Sequence, residues 1–155
     1  MKKAILTSLA VFVFSILNAQ WETKNYVDEF GDKTDESYKS LIANGTFSNS
    51  ATTNSEALYS FTDSGDSMMI TVYEYGSSKA TSIEATFELV KIKTPSSGVV
   101  SFKRVFFTKG GSLAFFEKEY TRLIEVIKEK GNYTIIFDRS ADYSKSSYKI
   151  KFTID

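Results

Sequence analysis

Residues 67–75 read SMMITVYEY, and this stretch indicates the structural class of the chain most clearly. Every second residue is apolar, and a period of two is that of an extended strand. One face of this strand is expected to point to a core: Met68, Ile70, Val72 and then Glu74. The preceding DSGD at 63–66 has the composition of a turn, so ALYSFT at 57–62 is predicted as the hairpin partner, with Leu58 in the core.

The same strand-like pattern continues towards the C-terminus. Further strands are predicted at 84–94, 99–108, 132–138 and 147–155, because these segments are rich in β-branched and aromatic residues. In the first of them the alternation changes phase near Leu89, which indicates a bulge or twist. The last two are expected to form a closing hairpin whose apolar face contains Ile135, Phe137, Tyr148, Ile150, Phe152 and Ile154.

One segment has helical rather than strand-like spacing. Residues 115–130 read FFEKEYTRLIEVIKEK and are predicted as a helix that ends at Gly131 in the C′ position. Its apolar stripe consists of Phe116, Tyr120, Leu123, Ile124 and Ile127. We expect this helix to cover the second face of the 67–75 strand, where Met69, Tyr73 and Tyr75 would form a second core. If no helix covers them, these three residues form an exposed surface for a partner.

These patterns together predict a mainly β (α+β) fold. The expected architecture is a single antiparallel, β-sandwich-like domain of eight or nine strands in two packed sheets, with one α-helix in the C-terminal half. Residues 20–155 are enough for one domain with its own core.

The first 19 residues have the features of a secretory signal peptide. Lys2 and Lys3 precede an apolar run that is too short to span a bilayer, and Ala19 occupies a cleavable position. A retained N-terminal anchor is the alternative. Because the chain has no Cys, no lipid can be attached at a cysteine after the leader. We therefore expect a periplasmic or extracellular protein with no stable membrane insertion after cleavage.

Composition excludes several classes of chemistry. The chain has neither His nor Cys, so a zinc site with N or S ligands and a Ser–His or Cys–His nucleophile pair are both impossible. Cleavage would remove two lysines and leave a net charge of −2, with no concentrated basic face, which argues against a nucleic-acid partner. We expect no cofactor.

An acidic stretch, YVDEFGDKTDESY, occupies residues 26–38. Its acids are spaced differently from those of a helix–loop–helix calcium loop, which needs Asp or Asn at alternate positions before a Gly. Asp28 and Asp32 are the candidates for a looser calcium site. The preferred interpretation is a solvated turn in which Phe30 enters the core and Gly31 has a positive φ.

Three functions remain open for this sequence. The leading hypothesis is a non-enzymatic interaction module that binds a protein or a glycan. A carbohydrate-binding or adhesin-like domain is the first alternative and would use exposed rings at Trp21, Tyr26, Tyr73 or Tyr75. The polar stretch TFSNSATTNS at 46–55 could contribute a sugar-binding loop, although turns held by its own side chains are the simpler interpretation.

The second alternative is a small carboxylate-dependent hydrolase. Such an enzyme needs two carboxyl groups facing each other across a pocket, one of them with a raised pKa. The candidates are Glu74, Glu84 and Glu88 on predicted strands, and Asp28 in the acidic stretch. Their spacing in the sequence does not show whether any two of them meet.

The pattern of Trp21, VDEFGD, FSNSATTNS and EYG resembles a group of small uncharacterised secreted proteins of Bacteroidota. More distantly, the order of elements is similar to that of periplasmic accessory proteins of type VI secretion systems. Four features of this sequence would match features of those proteins: Trp21, Asp28-Glu29-Phe30, the helix at 115–130 and the hairpin at 132–155. The cysteine of those proteins is missing, and Ala51-Thr52-Thr53 stands near its place. The resemblance implies a β-sandwich-like domain with one packed helix.

Overall fold

The computed structural model describes residues 21–74, 78–79, 85–87, 89–96, 98–103, 105–108, 111–141 and 144–155. Within these residues the chain forms twelve strands and one helix. The strands of the first half are β1 (Glu22–Val27), β2 (Lys33–Ser48), β3 (Ser55–Asp63), β4 (Ser67–Glu74), β5 (Ser78–Lys79) and β6 (Ala85–Phe87). The second half contains β7 (Val90–Lys93), β8 (Val99–Phe102), β9 (Val105–Phe107), β10 (Ser112–Phe116), α1 (Glu117–Val126), β11 (Gly131–Ala141) and β12 (Ser144–Ile154).

The predicted mainly β class with one helix is confirmed. The twelve described strands form one sheet rather than the two expected, in the order β6-β9-β10-β4-β3-β2-β12-β11-β7-β8, with β1 beside β2 and β5 beside β4. All the pairs are antiparallel. Because the strand order runs without a break, one sheet wraps around one core.

The chain itself joins the two ends of this sheet. β6 and β7 follow each other in sequence, yet β6 pairs with β9 at one end of the order, and β7 pairs with β8 and β11 at the other. The break between them contains Leu89, which is exposed, whereas Val90 is buried. The change of phase that the sequence predicted near Leu89 therefore lies where the chain passes from β6 to β7, which pair at opposite ends of the sheet. In this way the sheet nearly closes on itself.

The interior of the nearly closed sheet is filled by aromatic and branched side chains. In β4, Met68, Ile70 and Val72 are fully buried, as predicted from the alternation. In β3, Ala57, Tyr59 and Phe61 are buried instead of Leu58, which is only partly buried. The prediction for Leu58 was wrong because pairing places Tyr59 opposite Val72 and Phe61 opposite Ile70, so that these residues share the inner face.

The predicted C-terminal hairpin is present as β11 and β12. Its inner face contains Ile135, Phe137, Ile150, Phe152 and Ile154, all of them buried. The rings of Phe137 and Tyr148 are stacked with their centroids 5.0 Å apart. This hairpin lies between β2 and β7 and contributes to the core through a continuous apolar face.

Helix α1 is shorter than predicted at both ends. Phe115 and Phe116 belong to β10, where they pair with Met68 and Ser67, so the helix begins only at Glu117. At the other end it stops at Val126, and the predicted C′ role of Gly131 was wrong. Gly131 instead opens β11, packed so closely against Pro95 that a Cβ would lie 2.9 Å from the proline ring.

The expectation that the helix would build a second core was also wrong. Leu123 and Ile127 join the same cluster that fills the sheet, and Met69 on the outer face of β4 stays 38% exposed. The helix lies across one end of the nearly closed sheet. The hydroxyl of Tyr120 donates to Asp63 Oδ1 at 2.8 Å, at the end of β3. On the opposite side, Arg122 Nη2 donates to the Ser101 carbonyl oxygen at 3.0 Å.

Candidate interaction surface

The β1–β2 hairpin extends beyond the rest of the sheet. β3 pairs with β2 only from Lys39 onwards, so residues 33–38 of β2 bond only to β1 among the described strands. All six residues of β1 are exposed. We call residues 22–38 the arm. An isolated two-stranded ribbon buries little apolar surface, so the rest of the molecule supplies little packing for the arm.

The tip of the arm is a tightly bonded turn. One carboxylate oxygen of Asp28 accepts hydrogen bonds from the backbone N–H groups of Phe30 and Asp32, both at 2.9 Å. The backbone N–H of Asp28 donates to the Asp32 carbonyl oxygen at 2.9 Å, and Gly31 has a φ of +88°, as predicted. The turn therefore satisfies its own polar groups and holds a defined shape.

The apolar residues of the tip face solvent. Phe30 is 82% exposed and Val27 is 62% exposed, so the expectation that Phe30 enters the core was wrong. The reason is topological: β2 begins to pair with β3 only at Lys39, and the turn precedes that point, so it lies beyond the covered part of the sheet. Behind the tip, the rings of Tyr26 and Tyr38 contact each other with centroids 4.8 Å apart.

The arm is strongly acidic. It has six acidic and two basic residues, which gives a net charge of −4. The acidic residues are Glu22, Asp28, Glu29, Asp32, Asp35 and Glu36. Lys24 forms an ion pair with Glu22 at 3.5 Å near the base. The tip consequently presents an aromatic ring surrounded by carboxylates.

A pocket of about 290 Å³ lies where the arm joins the body. Its walls come from four elements and from the residue before β1: Trp21, Thr23 of β1, Lys39 of β2, Asp63 of β3, Ile124 of α1, and Ile127 and Lys128 just after the helix. The ring of Trp21 meets that of Phe61 edge-on, with centroids 6.3 Å apart. This contact fixes the start of the arm against the core.

A wider groove of about 1070 Å³ runs along the first turn of the helix. The exposed rings of Phe106 and Phe116 lie in it with their centroids 5.9 Å apart. Glu117, the first helical residue, has a φ of +50°, a conformation that is uncommon for any residue but glycine. Charges of both signs line this groove, among them Lys103 and Glu119.

Of the four rings that the sequence indicated for sugar binding, the three that the structure describes do not form one platform. Trp21 is partly buried against Phe61, and Tyr26 is 39% exposed beside Tyr38. Tyr73 is partly buried on β4, which is separated from β2 by β3. Tyr75 lies outside the described residues.

The two candidate acids that the structure describes are also separated. Glu74 is buried at the end of β4 opposite Ala57, where Oε1 accepts from the hydroxyls of Ser55 at 2.9 Å and Thr52 at 3.3 Å. Asp28 lies at the tip of the arm, beyond the other end of the sheet. Glu84 and Glu88 lie outside the described residues. The carboxyl groups of Glu74 and Asp28, the one candidate pair that the structure describes, therefore do not face each other.

The polar stretch at 46–55 forms the end of β2, a turn and the start of β3. Asn49 Oδ1 accepts from the backbone N–H groups of Ala51 and Thr52, each at 2.8 Å. This is the side-chain-bonded turn that the composition predicted. No group of three or more acidic side chains that could hold a metal ion occurs in the described part of the chain.

Sequence reasoning missed the arm and the pocket for different reasons. Phe30 lies among charged residues, and that setting is a signal for exposure that could have been used. The pocket has no such signal, because Trp21, Lys39, Asp63 and Ile124 are far apart in the sequence. Only the packing of the helix against the base of the arm brings them together.

Comparison with known proteins identifies no relative of this chain. No protein-family model, curated protein or solved structure matches the chain. Among the described residues, no helix combines the length and the apolar character needed to cross a membrane.

Proposed function

We propose that the protein is a secreted or periplasmic, non-enzymatic interaction module that binds a protein partner through the tip of the arm. The observation that carries this proposal is the 82% exposure of Phe30 on a turn that is held in one conformation by Asp28. Large aromatic side chains often supply most of the binding energy at an interface, and a turn whose backbone is already hydrogen-bonded loses less entropy on binding.

The charge of the arm defines the kind of partner. Glu29 and Asp32 flank Phe30, and further acids follow along β2. The complementary surface is an apolar pocket that is large enough for a phenyl ring and surrounded by lysines or arginines. Opposite charges around such a contact accelerate association and select the orientation of the two proteins.

A protein partner fits the arm better than a glycan. Aromatic residues that bind sugars need an open ring face, and Tyr26 and Tyr38 cover part of each other at 4.8 Å. The tip itself has a single exposed ring surrounded by carboxylates, whereas a platform for a sugar chain needs several rings in line.

The proposed location rests on the first 19 residues and on composition. Their charged start and apolar run have the pattern of a signal peptide, and the chain contains no cysteine that an oxidising compartment could modify. Sequencing the N-terminus of the exported protein tests this part, and a start at Gln20 is expected.

Site-specific photo-crosslinking tests the role of the arm. A photo-reactive phenylalanine is placed at position 30 and, in a matched protein, at position 106, where the native Phe is 46% exposed on β9. In the source cells, position 30 should give one discrete product. Added wild-type protein should compete with this crosslinking, and Phe30→Ala protein should compete about 30-fold less well. That loss corresponds to about 2 kcal/mol of binding free energy, as expected for a central interface residue.

Two results would contradict the proposal. The first is a product pattern that is the same from positions 30 and 106. The second is equal competition by wild-type and Phe30→Ala protein. Because Phe30 makes little contact with the core, Phe30→Ala should change the free energy of unfolding by no more than about 0.5 kcal/mol, and lost competition cannot be attributed to unfolding.

A further inference from the structure

The pocket at the base of the arm combines an apolar floor with a charged rim. Trp21, Ile124 and Ile127 supply the apolar part, and Ile127 is buried in the core. The indole comes from the residue before β1 and the two isoleucines from the end of α1 and its C-cap, so the floor is shaped by tertiary packing. At about 290 Å³, the pocket lies just below the usual range for ligand sites, about 300–1,000 Å³, and so suits a small ligand.

Two lysines at this pocket form no ion pair among the described residues, although Asp63 lies directly opposite Lys39 where β2 pairs with β3. Lys39 and Lys128 both line it, both are exposed, and neither forms an ion pair with any residue that the structure describes. They come from β2 and from the segment after the helix. Lys128 also follows the negative end of the helix dipole, where a cation is favoured.

The acidic residue of the pocket is already bonded within the protein. Asp63 Oδ1 accepts from the Tyr120 hydroxyl at 2.8 Å and from the Gly65 backbone N–H at 2.9 Å. These bonds tie the carboxylate to the helix and to the β3–β4 turn. The charged side chains that line the pocket, two lysines and one aspartate, carry a net charge of +1, which favours an anionic ligand.

We propose that this pocket binds a small amphipathic anion, namely a medium-length acyl or aromatic body with a single carboxylate. The apolar body lies against Trp21, Ile124 and Ile127, and the carboxylate meets Lys39 and Lys128. An apolar pocket with a few polar groups that fix orientation is the usual form of a small-molecule site. This site is independent of partner binding at the tip, which lies at the far end of the arm.

The single tryptophan of the chain is a built-in reporter of this site. The exported protein is titrated with octanoate, octanol and octylammonium, which have the same eight-carbon chain and differ in the charge of the head group. Octanoate should cause a saturable change in Trp21 emission at a concentration at least tenfold lower than octylammonium. Octanol should bind with intermediate affinity.

Variants assign the binding to these residues. The double variant Lys39→Gln/Lys128→Gln should weaken octanoate binding about fivefold to tenfold, since each exposed charge contributes modestly, and should leave octanol binding unchanged. The matched control is Lys149→Gln/Lys151→Gln, two exposed lysines of β12 outside the pocket, which should bind octanoate as the wild type does. Ile124→Phe, which fills the pocket, should weaken all three ligands.

Three results would overturn the proposal. One is the absence of a saturable emission change with any of the three ligands. Another is binding of octylammonium that is as tight as that of octanoate. The third is equal affinity for octanoate in the Lys39→Gln/Lys128→Gln protein and in its control. Thermal unfolding of each variant checks that the variant is folded at the temperature of the titration.

Discussion

Gly45 of β2 shows how much a single residue can constrain this sheet. It pairs directly with Phe152 of β12. A Cβ on residue 45 would overlap the carbonyl oxygen of Lys151 and lie 2.9 Å from the Phe152 Cα. Those are backbone atoms, which cannot rotate away as the end of a side chain can. Glycine is therefore required here by the close approach of two strands.

We expect Gly45→Ala to lower the free energy of unfolding by about 3 kcal/mol or more, since the clash can be relieved only by separating β2 from β12. Gly31→Ala is the control: its φ of +88° is unfavourable for alanine, but no atom lies within 4 Å of the added Cβ. That variant should lose only about 1 kcal/mol. Urea unfolding measures both, and equal losses would contradict the steric explanation.

Tyr133 gives the protein a dependence on alkaline pH. Burial first, and then the negative charge of Glu129, raise the pKa of this tyrosine to about 12. Its hydroxyl donates to the carbonyl oxygens of Glu129 at 2.7 Å and Val126 at 3.1 Å. A tyrosine in the unfolded chain has a pKa of about 10, so the folded protein holds this proton more tightly.

The contribution of Tyr133 to stability is thus complete below pH 10 and is lost as the pH rises from about 10 to about 12. Replacing Tyr133 by Phe should make the free energy of unfolding fall less steeply over that interval. It should also lower stability at pH 7 by about 1 kcal/mol, because the two carbonyl groups lose their donor. Urea unfolding from pH 7 to pH 11.5 tests this, and parallel profiles for both proteins would refute it.

Among the elements, the helix was located from its spacing but its ends were not. The apolar period of Tyr120, Leu123 and Ile127 depends only on side chains, and it identified the segment. Phe116 fits the same period, yet β4 offers backbone hydrogen-bond partners to both Phe115 and Phe116, and they join β10. Helix propensity within the segment could not reveal that strand pairing competes with helix formation here, because the partner strand β4 lies some 48 residues earlier.

The closing role of the helix leads to a prediction for Leu123. This residue is fully buried where the helix meets the core, so Leu123→Ala should lower the free energy of unfolding by about 2–5 kcal/mol. Glu125→Ala, an exposed position on the same helix, should change it by no more than about 0.5 kcal/mol. Thermal and urea unfolding compare the two variants. Similar effects at both positions would mean that the helix does not seal the core.

At the scale of the whole molecule, the strands from β3 onwards were largely predicted, whereas β1, β2 and the arrangement of the strands were not. Alternation located β3, β4, β11 and β12 within a few residues, because burial of one face imposes a period of two. It could not tell one sheet from two. That difference depends on β6 and β7 pairing with strands at opposite ends of the order, which is a long-range choice.

The arm and the body should also differ in local stability. In the arm, residues 33–38 of β2 pair only with β1 among the described strands, whereas β3 and β4 lie in the middle of the sheet over a filled interior. Backbone amides that are hydrogen-bonded within the arm should exchange with solvent at least about 100-fold faster than those of Tyr59 and Ile70. Hydrogen–deuterium exchange measures this directly. Equal protection in the arm and the body would show that the arm is part of the cooperative core.

By itself, the sequence determined the β class, the single helix, the inner face of β4, the turn at Asp28–Gly31 and the chemistries that a chain without His or Cys cannot perform. Those properties follow from residue type and local period. Only the tertiary structure decided that one sheet nearly closes, that Phe30 lies outside it, and that Trp21, Lys39, Ile124 and Lys128 share a pocket. The physical reason is that pairing and packing between distant segments fix these features, and such contacts have no local pattern in the sequence.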